Sequence, residues 1–282
     1  NMADLKPMDI GEILDGGLTI FRRHFLLFMK IGIIALWFPV ALTIYLELAG
    51  GIEQHLVLAL IVNVIRYFAG LFLTAAAIRI IADSYLGRRP ELSDALALGW
   101  SKIMPLFLVG LGKGLLLGLI AVVIGVFGAI TFPRVATGGG AGIFAVILTI
   151  LAGCWFIVYV ACGYAVTTPV VVLEELNASS DAFGRSWDLT RGFKLKIFLI
   201  FLVAMVIVFV PGIAIGGLGA AVTRDARMLG QAIEIASAAL PILLTPLFSC
   251  VLTLVYYDLR VRREAFDLEV LSEQLGAGGA VR

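Results

Sequence analysis

The side chains of this sequence that are best suited to bind a ligand are cations that lie inside apolar runs. Arg66 stands ten residues into the run Leu56–Ile78, and Asn63 precedes it by about one helical turn. An Arg at the centre of a membrane span costs about 2.5–3.5 kcal/mol on insertion scales and is a functional-site hypothesis by default. Arg66 and Asn63 therefore predict an intramembrane polar site for an anionic ligand. A structural ion pair or a snorkelling side chain is the alternative. The candidate counterions are Glu47, Glu53 and Glu234.

Lys30 and Lys113 form a second pair of candidate binding residues. They follow the acidic residues Glu12 and Asp94 by 18 and 19 residues, so their ammonium groups are expected at nearly the same depth in two different spans. At matching depth they could bind an anionic headgroup or a carboxylate. The alternative is that each side chain snorkels to the membrane surface.

The composition indicates that most of the chain lies in lipid. Of the 282 residues, 61% are hydrophobic and 15% are charged, and the mean hydropathy is +1.06, whereas a soluble domain has about 25% charged residues. A folded globule of this size cannot hide so much apolar surface from water. These values exclude a soluble enzyme, a disordered tail and a nucleic-acid-binding domain.

Six apolar runs are long enough for a transmembrane helix, which needs about 20 mostly apolar residues. They are Phe25–Leu46, Leu56–Ile78, Ile103–Phe132, Ile143–Leu173, Ile197–Val222 and Ile235–Tyr257. Thirteen Lys and Arg residues on one side of the membrane set the predicted topology, namely Lys6, Arg22, Arg23, Arg88, Arg89, Lys102, Arg185, Arg191, Lys194, Lys196, Arg260, Arg262 and Arg263. On the other side there are three, namely Arg134, Arg224 and Arg227. Because cytoplasmic segments carry the excess of Lys and Arg, the sequence predicts a multi-pass protein of the bacterial cytoplasmic membrane with both termini in the cytoplasm.

Three segments of similar pattern precede the first, third and fifth runs. Their acids are Glu12, Asp94 and Asp181, and the residues six positions later are Leu18, Trp100 and Trp187. An acid in the first turn favours the positive end of the helix dipole, so each segment is predicted to be a short amphipathic helix, here called an elbow helix. The predicted fold is all-α: a polytopic bundle of six transmembrane helices, built as three repeats of an elbow helix plus a transmembrane hairpin.

These repeats form one predicted domain. Residues 1–271 are expected to be a single integral membrane domain, with repeats at about 8–87, 88–175 and 176–265, and residues 272–282 a flexible tail.

Aromatic and basic residues near the cytoplasmic ends of the runs predict contacts with lipid headgroups or a partner, since both residue types favour that interface. They are Trp100, Trp187, Arg185, Arg191, Arg260, Arg262 and Arg263. Elbow helices that only orient each hairpin, and cations that only set the topology, are the alternatives.

Three motifs resemble a known family. They are Pro7–Asp15 with Phe21–Phe25, Pro169–Glu174 with Ala182–Gly192, and Tyr256–Glu269. Together they resemble bacterial membrane proteins of the glycerophosphoryl diester phosphodiesterase membrane-domain family, and the resemblance implies a polytopic membrane unit. The diesterase activity is not expected here, because the chain leaves no room for a soluble catalytic domain and lacks the His and acidic cluster that metal-assisted hydrolysis needs.

No pattern of residues predicts catalysis, a metal site or a cofactor, because paired carboxylates and Ser–His or Cys–His arrangements are missing from the runs. Two functions are left. One is transport or handling of a lipid or a small anionic solute at Arg66, Lys30 and Lys113; the other is an accessory or organising subunit of a membrane complex. The expected partners are membrane lipids with anionic headgroups and a membrane protein or a second copy of the chain, but no nucleic acid.

Overall fold

The computed structural model describes residues 7–48, 55–136, 140–222, 233 and 239–264, and all regular structure within them is helical. The helices in chain order are α1 (Ile10–Arg23), α2 (Phe25–Leu48), α3 (Leu56–Tyr85), α4 (Leu92–Ser101), α5 (Ile103–Ala136), α6 (Gly140–Gly163), α7 (Thr167–Leu173), α8 (Asp181–Thr190), α9 (Lys194–Val222) and α10 (Pro241–Glu264). The predicted all-α fold class is confirmed.

Five stretches among the described residues are long and apolar enough to cross a membrane. They are Phe25–Leu46, Leu56–Tyr85, Ile103–Gly128, Ile147–Leu173 and Pro241–Glu264. These lengths and compositions are those of a membrane protein. The remaining predicted span, Ile197–Val222, lies within α9, whose side chains are described only in part. The number of six spans therefore stays a prediction.

The fourth predicted span corresponds to the stretch Ile147–Leu173, but it is interrupted, because the chain turns at Tyr164–Val166 between α6 and α7. Pro169 explains the turn: it has no backbone N–H, and in a continuous helix its ring would clash with the carbonyl of Ala165. In the sixth predicted span, Pro241 is the first residue of α10. Proline suits a first helical position, where the missing N–H is not needed.

The buried core is centred on α10. In the most apolar stretch of 18 residues in α10, 67% of the residues are buried, whereas in the corresponding stretch of α5 only 6% are. The α10 residues from Ser249 to Leu259 pack against the ends of α3 and α7. In contrast, α5 exposes large apolar side chains such as Leu115, Leu119 and Phe127, as expected of a helix that faces lipid.

A short helix occurs at each place where an elbow helix is predicted, namely α1, α4 and α8. Two of them pack alongside long helices. A Cβ on Gly17 of α1 would lie 3.4 Å from Val251 of α10, and a Cβ on Gly99 of α4 would lie 3.0 Å from Phe72 of α3. Small residues allow these close approaches. That the three units are repeats of one another stays a prediction.

Candidate functional site

Arg66 lies on α3, about 15 Å along the helix from its first residue at 1.5 Å per residue, and reaches across to α2. Its Nη2 donates a 2.7 Å hydrogen bond to Oγ1 of Thr43, and that hydroxyl donates to the carbonyl of Pro39 at 2.8 Å. The Nε of Arg66 is buried without a hydrogen-bond partner. None of the ion pairs within the described residues includes Arg66. The predicted counterions all lie outside the described side chains: Glu47, Glu53 and Glu234.

The other members of the predicted polar site, Asn63, Lys30 and Lys113, do not share the hydrogen-bond partner of Arg66 among the described residues. Asn63 is exposed, and its Nδ2 donates to the carbonyl of Ala59 one turn earlier at 2.9 Å. Lys30 is exposed on α2 and Lys113 is half-buried on α5. Among the described residues, neither lysine shares the Thr43 hydroxyl, the described acceptor of Arg66. Arg66 is therefore the residue on which the intramembrane site depends.

An apolar groove of about 810 Å³ runs along α3 between α2 and the start of α5. On α3 its lining residues run from Val64 to Phe72, over the turns of the helix that also carry Arg66, although Arg66 itself is not a lining residue. Trp100, the predicted interfacial residue at the end of α4, lines the groove and is 76% exposed. All lining residues except Ser101 are apolar, so the groove suits a hydrocarbon chain.

A cluster of charges, here called the Asp258 cluster, lies near the end of α10. The Asp258 carboxylate is 1% exposed and accepts hydrogen bonds from the Met8 N–H at 2.7 Å, Lys196 Nζ at 2.6 Å and Arg262 Nε at 3.0 Å. Lys196 and Arg262 also donate to the Met8 carbonyl, at 2.5 and 2.9 Å. A buried charge needs partners. This cluster therefore fixes two elements to α10, namely the residues before α1, through Met8, and α9, through Lys196.

A second cluster, here called the Arg185 cluster, lies beside the first. Arg185 of α8 donates to Glu174, with 2.9 Å between Nε and Oε2, and to both oxygens of Glu264 at the end of α10. Arg260 pairs with Glu264 at 3.1 Å, and the Tyr256 hydroxyl donates to Glu174 at 2.9 Å. The hydrogen bonds that Arg185 donates to Glu264, and secondarily those that it donates to Glu174, raise the pKa of Arg185 further above its usual range, although burial opposes them.

Most of the predicted interfacial cations thus have partners inside the protein. Arg185, Arg260 and Arg262 belong to the two clusters, and Arg263 donates to the Arg191 carbonyl. The Arg191 side chain is exposed. Contact of these residues with lipid or a partner protein stays a prediction.

Trp187 packs against the break between α6 and α7, where a Cβ on Gly163 would overlap its ring. The break leaves the Gly163 carbonyl without its helical partner, since the Thr167 N–H turns to Tyr164 instead. The hydroxyls of Ser186 and Thr190 each donate to this carbonyl at 3.0 Å. The buried face of α8 therefore closes the broken span, and Trp187 is half-buried in that contact.

A pocket of about 630 Å³ lies where α6, α8 and the start of α9 meet. It is lined by Tyr159, Trp187, Arg191, Gly192, Lys194 and Leu195. The Lys194 Nζ lies 3.5 Å from the centre of the Tyr159 ring and 3.3 Å from that of the Trp187 ring, which are cation–π contacts. The same Nζ is buried and has no hydrogen-bond partner.

Within the described residues, no three His, Cys, Asp or Glu side chains lie close enough to hold a metal ion. The three cysteines are free thiols.

Residues 8–259 match the family described as a domain of unknown function, DUF7847. The chain belongs to the DUF7847 family. Comparison with the curated proteins gave no match, and comparison with the solved structures gave none. The family description carries no function, and the resemblance to the phosphodiesterase membrane-domain family stays a prediction.

The two ends of the DUF7847 match meet in space. The match starts at Met8 and ends at Leu259, and the Asp258 cluster joins Met8 to the residue before that end. The charged residues of the closing motif therefore hold the DUF7847 domain together.

Sequence reasoning on this DUF7847 protein did not single out Asp258, Glu174 or Lys194 as site residues. A local signal existed for Asp258, which follows an apolar run and stands four residues before Arg262, the spacing of a helical ion pair. Its most distant partner, Met8, is 250 residues away, and no spacing rule reaches so far. Lys194 was counted only among the cations that set the topology.

Proposed function

We propose that this protein is a non-enzymatic, multi-pass protein of the bacterial cytoplasmic membrane that transports or handles a lipid or a small anionic solute at Arg66. Both termini are in the cytoplasm. The observation that carries the proposal is the Arg66 guanidinium, which has a buried, unpartnered Nε and no carboxylate partner among the described residues.

The chemistry of the guanidinium favours an anionic ligand. A guanidinium has five N–H donors, and Thr43 is the one described acceptor for them. A charge in hydrocarbon without compensation is costly, whereas a carboxylate or phosphate can accept two parallel hydrogen bonds from Arg. An anionic group beside Arg66 would therefore satisfy the donors that the protein leaves open.

The neighbouring groove supports a lipid as that ligand. Its lining residues on α3 run from Val64 to Phe72, over the helical turns that also carry Arg66, and Trp100 lines it as well. A lipid whose hydrocarbon chain lies in the groove could bring its phosphate to Arg66 near the middle of the bilayer. At that depth the headgroup is between the two membrane surfaces, which is the position a transport step requires.

The test is Arg66→Gln in the full chain, reconstituted into phosphatidylglycerol–phosphatidylethanolamine vesicles that contain a fluorescent phosphatidylglycerol. The rate at which labelled lipid moves between leaflets is measured by quenching from outside. We expect the wild-type protein to accelerate this movement, and Arg66→Gln to slow it about tenfold, the effect of about 1.4 kcal/mol.

The matched control is Arg89→Gln, which removes one charge from an exposed residue between α3 and α4 and should leave the rate unchanged. Wild-type vesicles that behave like protein-free vesicles, or an Arg66→Gln rate equal to wild type, would contradict the proposal. An unchanged rate together with a membrane protein that copurifies in fixed ratio would favour the accessory role instead.

A further inference from the structure

We infer that the pocket of Tyr159, Trp187, Arg191, Gly192, Lys194 and Leu195, here called the Lys194 pocket, binds the phosphate of an anionic membrane phospholipid. This inference goes beyond the proposed function, because the Lys194 pocket shares no residue with Arg66 or its groove.

The charges of the Lys194 pocket select an anion. Two of its six lining residues are cations, Arg191 and Lys194, and no lining residue is acidic. Neither cation takes part in an ion pair among the described residues. This distinguishes them from Arg185, Lys196 and Arg262, whose charges are already balanced by carboxylates.

The ammonium of Lys194 provides an independent argument. It is held between the Tyr159 and Trp187 rings, so its position is fixed, but its Nζ has no hydrogen-bond acceptor. Its three N–H donors therefore face only aromatic rings, with no oxygen or nitrogen acceptor among the described residues. A buried ammonium in this state is costly, and a phosphate oxygen that enters the pocket can accept from it.

The backbone N–H groups at the start of α9 add hydrogen-bond donors to the Lys194 pocket. The α9 helix of 29 residues begins at Lys194, and Ile197 is the first of its residues whose N–H bonds to a backbone carbonyl, that of Phe193. The first N–H groups of a helix lack internal acceptors and favour anions. Gly192, at a φ of +88°, lets the chain turn sharply into this helix.

The surroundings of the Lys194 pocket favour a lipid rather than a soluble phosphate. Leu195 and Leu199 of α9 are 66% and 39% exposed, and Trp155, one turn before Tyr159 on α6, is 66% exposed. These side chains continue from the pocket along α6 and α9 as an apolar surface. A phospholipid can place its phosphate in the Lys194 pocket and its acyl chains on that surface.

The experiment is native mass spectrometry of the full chain in mild detergent with equal amounts of dioleoylphosphatidylglycerol and dioleoylphosphatidylcholine. We expect the wild-type protein to retain phosphatidylglycerol preferentially. Arg191→Gln and Lys194→Gln should each weaken its binding about tenfold, because each removes a hydrogen bond between charged groups. Arg191 is exposed, so Arg191→Gln keeps the fold; its thermal unfolding should match that of wild type.

Two controls separate the outcomes. Arg89→Gln removes a charge elsewhere and should bind like wild type, and Arg66→Gln tests the proposed function separately. Retention that is unchanged in the Arg191→Gln/Lys194→Gln protein overturns the inference. Displacement of phosphatidylglycerol by an equal concentration of inorganic phosphate would show a site for soluble anions and overturn the assignment to lipid.

Discussion

Replacing Asp258 by Asn is expected to lower the free energy of unfolding by about 3 kcal/mol. Asn keeps the size of the side chain but removes the charge that Lys196 and Arg262 face. Removing one partner of a buried ion pair costs about 3–5 kcal/mol, because the other charge stays buried without compensation. The side chains of Lys196 and Arg262 are 18% and 25% exposed, so both keep some hydration, which places the cost at the lower end of this range.

The assay is reversible unfolding of the full chain in mixed micelles of increasing denaturing detergent, followed by circular dichroism. Asp188→Asn is the matched control, because Asp188 is exposed on α8 and exposed substitutions usually change stability by less than about 0.5 kcal/mol. A loss in Asp258→Asn no larger than that of the control would refute the reasoning.

A double variant tests whether the charges act as a pair. Replacing both groups of a buried ion pair with apolar residues is often close to neutral. Asp258→Leu combined with Lys196→Met should therefore lose less stability than the sum of the two single variants, by about 1–3 kcal/mol. If the stability loss of the double variant equals the sum of the losses of the two single variants, the two side chains do not interact in the folded protein.

Three further predictions concern packing, pH and topology. Gly163→Ala places a Cβ in the space of the Trp187 ring and should cost about 1–3 kcal/mol by overpacking in the same unfolding assay; an unchanged stability would contradict the packing at the break. Burial, with a smaller effect of the Arg23 charge, lowers the pKa of His24 below its ordinary value of 6.5. The contribution of neutral His24 to stability is therefore full above about pH 6.5 and declines below it, and His24→Gln should remove that decline when unfolding is measured across this pH range. In a chain without its natural cysteines, Asp188→Cys should react with an impermeant maleimide in inverted vesicles but not in intact cells; labelling of intact cells would reverse the orientation.

The long helices could be predicted from the sequence, because membrane insertion depends on the length and hydropathy of a local run. The apolar runs that begin at Phe25, Leu56 and Ile103 each correspond to a helix that begins at that residue. The short helices before α2, α5 and α9 were also predictable, since acidic residues near a helix start are a local signal.

The break in the fourth span could be predicted only in part. A proline such as Pro169 within a helical run favours a distortion, but the buried hydroxyls of Ser186 and Thr190 decide how the freed carbonyl of Gly163 is satisfied. These residues lie 23 and 27 positions later in the chain. The contact between them and Gly163 is set by tertiary packing, which no local pattern shows.

The charge clusters were beyond sequence reasoning for a different reason. The cations near the ends of the spans were interpreted as signals for topology or lipid, which any cytoplasmic Lys or Arg can be. Their partners are set by tertiary contacts between distant segments, such as Arg185 with Glu264, 79 residues apart. An isolated intramembrane charge such as Arg66 can be found from sequence, but whether it has a counterion cannot.

The pairing of Met8 with Asp258 has a consequence for biogenesis. Among the described helices, α10 leaves the ribosome after all the others, so the first helices enter the bilayer long before the residues that hold them exist. Until α10 is made, α1 lacks the α10 surface against which its Gly17 packs. Lys196 likewise lacks its ion-pair partner, the carboxylate of Asp258. The early hairpins therefore lack these contacts during translation, and they gain them only when α10 is inserted.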